Sequence, residues 1–297
     1  MERNNIFKGV GVALVTPFLE NGDIDFKALR SLVDCVLAGG VDFLCVLGTT
    51  AETPCLSIAE RQLVMDAVAE VVSKRVPLLL GCGGNNTREV VSFLQTANLE
   101  AYQGVLIVTP YYNRPSQEGL FLHFERVALA SSLPVVLYNV PSRTGVNLQA
   151  ETTIRIASAC KNVVAIKEAS GNLEQIEKII QEAPEGFEVL SGDDTLTLKM
   201  ISMGAVGCIS VIGNTCPAEY TSLVHAALLS DNETAQLWQS RLENLYRLLM
   251  LDGNPSGVKA FLAEQGKIKN VLRLPLVPAR PETQEMIRKE LAILASL

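Results

Sequence analysis

The sequence predicts a (β/α)8 barrel, the TIM-barrel class of α/β fold, followed by a C-terminal helical appendage. Eight short runs of apolar and β-branched residues recur before residue 214, and each run is continuous rather than alternating. Continuous runs are typical of parallel strands that are covered on both faces. The runs begin about 28 residues apart, which is the length of one strand–helix unit, and eight such units complete a barrel.

The predicted strands and helices alternate along the chain, as a barrel requires. The strands begin at Val10, Val41, Val76, Gly104, Pro134, Val163, Phe187 and Ala205. The helices, recognised by apolar residues three and four positions apart, lie at 25–38, 57–72, from 87, from 116, 172–181 and 194–203. Ser57 and Glu60 form a capping-box signature that marks the start of the second helix.

A doubly wound sheet is the alternative α/β class. It usually has fewer strands and a glycine-rich turn that binds a dinucleotide. The stretch GCGGNN at 81–86 follows a predicted strand, but it lacks the last glycine of the GxGxxG pattern. The sequence therefore favours the barrel.

After about residue 225 the alternation of strands and helices ends, and no further buried strand is predicted. Helical patterns there lie at 223–229, 233–251, 257–264 and 282–296. The stretch at 273–281 is typical of an extended linker. We therefore expect a catalytic barrel over 1–224 and a helical region over 225–297.

Composition limits the partners and the compartment. The formal net charge is −7 without a basic stripe, so we expect no nucleic-acid partner. No apolar run approaches the roughly 20 residues that span a bilayer, and the N-terminus lacks a signal-peptide pattern, so we expect no membrane partner. Seven cysteines without a CxxC motif favour a reducing cytoplasm. The two histidines lie near no carboxylate or cysteine cluster, so we expect no metal site.

One lysine interrupts a predicted buried strand. In VVAIKEAS, at 163–170, Lys167 directly follows the apolar run, and an ammonium buried without a partner is costly. Barrel enzymes carry their chemistry at the carboxyl ends of the strands, where a lysine amine can attack a carbonyl. An ion pair is the alternative, but the adjacent Glu168 points to the opposite face of the strand. We therefore favour a nucleophile.

Other polar residues collect at the predicted carboxyl ends of neighbouring strands. Tyr138 can relay a proton, or it caps a barrel layer with a satisfied hydroxyl. Arg143, in the turn PSRTG, suits a substrate carboxylate, or it is a solvated loop residue. Thr49 and Thr50 can hold a carboxylate or simply form a turn. The residues alone leave these alternatives open.

Together these residues resemble the dihydrodipicolinate synthase family of the pyruvate-dependent class I aldolase superfamily. The stretches TPYYNRPSQEGL, LYNVPSRTG, IKEASGNL, LSGDD, ISV and LRLPL match the family's pattern and extend over nearly the whole chain. Their combination is far more specific than any single motif. The resemblance implies condensation of pyruvate with aspartate 4-semialdehyde to 4-hydroxy-tetrahydrodipicolinate, in diaminopimelate and lysine biosynthesis, without a metal or organic cofactor.

The resemblance also implies catalytic roles. Lys167 would form the Schiff base with pyruvate, and Thr49, Tyr138 and Tyr112 would form a proton relay. Spacing alone leaves the pair Tyr111 and Tyr112 as a lid, a core plug or a subunit contact. In the family, which is usually a homotetramer of two tight dimers, Tyr112 would reach in from a neighbouring subunit.

Substrate-binding roles follow from the same resemblance. Arg143 would bind the carboxylate of the semialdehyde, and Thr50 would help to hold the pyruvate carboxylate. The backbone carbonyls of Gly192 and Ile209 would line the pocket. Two alternative functions are an aldolase for N-acetylneuraminate or sugar acids and a non-enzymatic keto-acid sensor. The former typically lacks an arginine at this turn, and the latter would have lost the lysine or the tyrosines.

The chain departs from the family's pattern at two positions. Members of the family usually read Gly-Thr-Thr-Gly-Glu, and here Ala51 replaces the last glycine, which would strain the turn if that position needs a positive φ. Gly257 stands where the second proline of an Asn-Pro-x-Pro pattern is usual.

Control by lysine is the last expectation from the resemblance. Asn85, Glu89 and Tyr111 match the allosteric cleft of the members that lysine inhibits. Ile58 and Arg61 stand where responsive bacterial members often carry histidines. We therefore expect weak or absent inhibition by lysine.

Overall fold

The structure, a computed structural model, describes residues 6–294 and contains a closed barrel of eight parallel strands that follow one another in chain order. The predicted barrel is thereby confirmed. Nearly every strand residue is buried, as the continuous apolar runs require. The strands are β1 Gly9–Ala13, β2 Phe43–Val46, β3 Leu78–Gly81, β4 Gly104–Val108, β5 Val135–Asn139, β6 Val163–Glu168, β7 Glu188–Ser191 and β8 Gly207–Ser210.

Helices separate the strands and continue beyond the last one. They are α1 Phe26–Ala38, α2 Ile58–Val72, α3 Thr87–Thr96, α4 Gln117–Ala130, α5 Pro141–Thr144, α6 Ala150–Ala159, α7 Leu173–Glu182, α8 Thr197–Met203, α9 Pro217–Leu228, α10 Asn232–Leu251, α11 Ser256–Glu264 and α12 Pro281–Leu294. The predicted capping box is confirmed. The Ser57 hydroxyl accepts from the Glu60 amide at 3.2 Å, while the Glu60 carboxylate accepts from the Ser57 amide at 2.8 Å.

The first of two compact units comprises, within the described part of the chain, 6–9 and 77–209. It carries strands β3 to β7, and β5 pairs with β6 so that Tyr138 lies beside Lys167 and Asn139 beside Glu168. Since alternate residues of a strand face opposite sides, this register puts the first pair on one face and the second pair on the other.

The second unit comprises 10–76 and 210–294 of the described residues. Helices α9 and α10 pack together in it, with the rings of Tyr220 and Tyr246 meeting edge to face at 6.3 Å. The helix predicted at 282–296 is α12, and its last predicted residues, 295–296, lie outside the described residues. The domain division at 224 stays a prediction, and residue 224 lies within α9.

Two local expectations needed correction. Helix α9 begins at Pro217 rather than at 223, because proline is favoured in the first turn of a helix and starts it early. The PSRTG turn is the four-residue helix α5, which Gly145 ends in a left-handed conformation. Within residues 6–294, no helix is long and apolar enough to cross a membrane.

Candidate active site

Lys167 lies one residue before the end of β6, and only 5% of it is exposed. Its Nζ atom is 4.5 Å from the centroid of the Tyr138 ring, which the adjacent strand β5 presents. The structure gives Lys167 no ion pair among residues 6–294. The amine therefore lies in a confined position against an aromatic face, as a group that reacts with a carbonyl compound requires.

Glu168 occupies the opposite face of the same strand and is fully buried. Its carboxylate accepts four hydrogen bonds: from Asn139 Nδ2 at 2.7 Å, from Gln175 Nε2 at 2.9 Å, and from the Ser170 amide and hydroxyl at 3.0 and 2.6 Å. Burial raises the pKa of Glu168, and these hydrogen bonds oppose that rise. The network links the ends of β5 and β6, and so it fixes the register of Tyr138 against Lys167.

Gly192, directly after β7, leaves room for the lysine. A Cβ atom at this position would lie 2.9 Å from Lys167 Cε and 2.8 Å from Ala169 Cβ, and both contacts are too short. The Gly192 amide donates to the Glu168 carbonyl at 2.7 Å, which holds the two strand ends together. Ile209, in β8, is buried. The resemblance implies that the backbone carbonyls of both residues line the pocket, and that role stays a prediction.

Arg143 lies on α5, directly after the strand that carries Tyr138, and it is exposed. The segment that follows it is tied to the buried network. Asn139 donates to Asn147 Oδ1 at 2.8 Å and accepts from the Leu148 amide at 2.9 Å. The polar residues around Glu168 therefore restrain the end of the loop that carries the arginine.

The loop after β4 presents two tyrosines. The side chain of Tyr111 is 39% exposed and that of Tyr112 is 90% exposed. Tyr112 also adopts a left-handed backbone with φ of 71°, which a bulky residue rarely does. A core plug within its own chain is therefore excluded for Tyr112. Asn113 of this loop donates to the Asn85 carbonyl at 3.0 Å.

The residues predicted for the allosteric cleft lie on neighbouring segments of the first unit. Asn85 is half-buried in the loop after β3, and Glu89 is exposed in the first turn of α3. The contact between Asn113 and Asn85 joins the first of them to the loop that carries Tyr111. The response to lysine stays a prediction.

In the second unit, Thr49 and Thr50 begin a short 3-10 helix, Thr49–Ala51, after β2. Thr50 is 2% exposed, and its Oγ1 accepts a hydrogen bond from Asn254 Nδ2 at 3.0 Å. The strain considered for Ala51 does not occur, because its φ is not positive. The left-handed residue is the next one, Glu52, with φ of 55°.

Sequence reasoning missed a buried ion pair behind this turn. Glu52 and Lys259 of α11 are both fully buried, and Nζ of the lysine contacts Oε1 of the glutamate. The lysine also donates to the Val271 carbonyl at 2.9 Å and lies 4.1 Å from the centroid of the Phe18 ring. The missed signal was a single lysine inside the apolar stretch GVKAFLA, which is the signal that revealed Lys167.

Gly257 has a packing reason in this chain. A Cβ atom there would lie 2.1 Å from the Leu249 carbonyl oxygen, so the end of α10 approaches the start of α11 too closely for any side chain. The Gly257 amide also donates to the Gly253 carbonyl at 2.9 Å, a bond that a proline could not make.

Proteins of known function resemble this chain in sequence and in fold. Residues 6–294 match the model of the "Dihydrodipicolinate synthetase family". A 4-hydroxy-tetrahydrodipicolinate synthase of Azobacteroides pseudotrichonymphae is 50% identical over 97% of this chain and 98% of its own length. The crystal structure of dihydrodipicolinate synthase from Thermotoga maritima has a TM-score of 0.95 and 40% identity, covering 99% of this chain and 100% of that one.

A third comparison concerns a structure that contains a ligand. The chloride-inhibited dihydrodipicolinate synthase from Acinetobacter baumannii, complexed with pyruvate, has a TM-score of 0.95 and 36% identity, covering 99% of this chain and 100% of that one. The resemblance inferred from the sequence motifs is confirmed. This chain belongs to the dihydrodipicolinate synthetase family.

Proposed function

We propose that this chain condenses pyruvate with L-aspartate 4-semialdehyde and releases 4-hydroxy-tetrahydrodipicolinate, a step of diaminopimelate and lysine biosynthesis. The observation that carries the proposal is the buried amine of Lys167 against Tyr138, in a chain half identical to a relative named for this activity. The seven cysteines form no disulfide, which supports a cytoplasmic location.

The proposed chemistry uses the Lys167 amine as a nucleophile, and the iminium that it forms with pyruvate is the electron sink. Its amine adds to the keto carbon of pyruvate, and loss of water gives an iminium. A methyl proton then leaves, and the resulting enamine carbon attacks the aldehyde carbon of the second substrate. The amino group of that substrate finally displaces Lys167 as the ring closes, which frees the enzyme. Tyr138, Thr49 and Tyr112 are proposed to carry protons between the reacting atoms.

Arg143 is proposed to select the second substrate by binding its carboxylate. Arg143→Ala should lower kcat/KM for the semialdehyde by about 10- to 150-fold, the usual effect of losing a hydrogen bond to a charged group. The yield of pyruvate adduct trapped with borohydride should not change, because pyruvate reacts first. Arg114→Ala removes another exposed arginine from a neighbouring loop and serves as the matched control. Equal losses in both variants, or a loss of the adduct, would refute the assignment.

We also propose a homotetramer built from two dimers, in which Tyr112 serves the lysine of the neighbouring subunit. Its 90% exposure and strained backbone support this proposal, since a tyrosine that is exposed on its own subunit is available to contact another one. Tyr112→Phe should lower kcat by about 100-fold, the usual effect of losing a proton-transfer group.

Mixed oligomers test whether Tyr112 acts across subunits. Co-expression of Tyr112→Phe and Lys167→Ala chains should give more activity than the two variants measured separately. The hybrid then contains a site with Lys167 from one chain and Tyr112 from the other. A mixture no more active than the mean of the separate variants would show that Tyr112 acts within its own chain or not at all.

A further inference from the structure

Two contacts from the C-terminal part of the chain hold the turn at 49–52. Only 9% of Asn254 is exposed, and its Nδ2 lies 3.0 Å from Thr50 Oγ1. Five residues further along, Lys259 pairs with Glu52. All four residues belong to the second unit. The turn that carries Thr49 and Thr50 is therefore held from a region more than 200 residues away in sequence.

The first contact determines what the Thr50 hydroxyl can still do. A threonine hydroxyl has one proton to donate and lone pairs that accept. Asn254 donates, so it occupies a lone pair and leaves the proton for another acceptor. Among residues 6–294 the structure gives Thr50 Oγ1 no acceptor, and the residue is only 2% exposed. A carboxylate of the keto-acid substrate accepts hydrogen bonds and cannot donate them, so it suits this proton.

The second contact removes an electrostatic obstacle. Glu52 is two residues from Thr50 and is fully buried, so an unpaired charge there would repel a substrate carboxylate. Lys259 neutralises it, and the Arg273 amide donates to its other oxygen at 3.0 Å. The pair also restrains the left-handed backbone at Glu52, and so it fixes the turn that presents Thr50.

We propose that Asn254 is a positioning residue for keto-acid binding: by donating to Thr50 Oγ1, it directs the Thr50 hydroxyl proton towards the pyruvate carboxylate. The inference rests on the proposed function, because it identifies the ligand as a keto acid. The C-terminal region thereby contributes to substrate recognition and not only to the stability of the barrel.

The test measures the pyruvate concentration that gives half-maximal borohydride trapping, which needs no second substrate. Asn254→Ala should raise this concentration by about 5- to 30-fold, the usual effect of losing one hydrogen bond. Asn254→Asp should raise it further, because its carboxylate accepts the Thr50 proton and repels the ligand. Ser256→Ala, which removes a buried hydroxyl bonded to the Val277 carbonyl in the same segment, should leave it unchanged.

A double-variant cycle separates a role through Thr50 from general loosening. In a Thr50→Val background, Asn254→Ala should have no further effect on half-saturation. Melting temperatures accompany every variant, and Asn254→Asp, which keeps the size of asparagine, decides the matter if Asn254→Ala does not fold. An unchanged half-saturation in folded Asn254→Ala and Asn254→Asp, or equal effects with and without the Thr50 hydroxyl, would overturn the proposal.

Failure of the proposed function would appear differently. A wild-type chain that traps pyruvate but does not turn over the semialdehyde would refute that function. The half-saturation test of Asn254 needs only pyruvate, so it would still decide whether Asn254 positions Thr50.

Discussion

Lys167→Ala should abolish the pyruvate adduct trapped with borohydride and lower kcat by at least about 1000-fold. The amine is the only group in the proposed chemistry that bonds to pyruvate, and removal of a covalent nucleophile eliminates the path rather than slowing one step. Intact-protein mass spectrometry after borohydride treatment measures the adduct, and a rate assay measures kcat. The folded state should survive, because the lysine has no ion pair among the described residues whose loss would leave a charge unpaired.

Two control variants make this experiment specific. Lys167→Arg keeps a cation of similar length but cannot form the Schiff base, so it should also lack the adduct. Lys161→Ala removes an exposed lysine just before β6 and should show wild-type labelling. An adduct that persists in Lys167→Ala would place the nucleophile on another lysine and would contradict the assignment.

Lys259→Met should lower the free energy of unfolding by about 3–5 kcal/mol, because it leaves the fully buried carboxylate of Glu52 without its partner. Chemical unfolding at one fixed protein concentration measures the change, since subunit association also contributes to stability. The double variant Lys259→Met with Glu52→Gln removes the charge as well, so it should recover part of the loss. A double variant less stable than Lys259→Met would contradict the ion-pair explanation.

The sequence was sufficient for the barrel, because its strands are continuous apolar runs at regular spacing. Lys167 was found because a single lysine interrupts one of those runs. Pairing across the sheet was harder to foresee. Because side chains alternate between the two faces of a strand, the sequence indicates that Glu168 faces away from Lys167. It does not indicate that the Glu168 carboxylate accepts four hydrogen bonds from three other residues.

Contacts between distant parts of the chain could not be predicted from local patterns. Asn254 and Thr50 are 204 residues apart, and nothing near either one reveals the other. Lys259 gave a local signal, but no local pattern identified Glu52, a residue with a left-handed backbone in a distant turn, as its partner. The strained backbone of Tyr112 has no signature in its amino-acid type, since bulky residues are rare in that conformation.

A side-by-side rate assay tests the central claim most directly. Pyruvate is supplied with L-aspartate 4-semialdehyde in one reaction and with N-acetylmannosamine in the other, at the same enzyme concentration. We predict turnover with the semialdehyde alone, because Arg143 provides a charge for a carboxylate that the sugar lacks at the matching place. Turnover with the sugar alone would contradict the account and identify the chain as a sugar-acid aldolase.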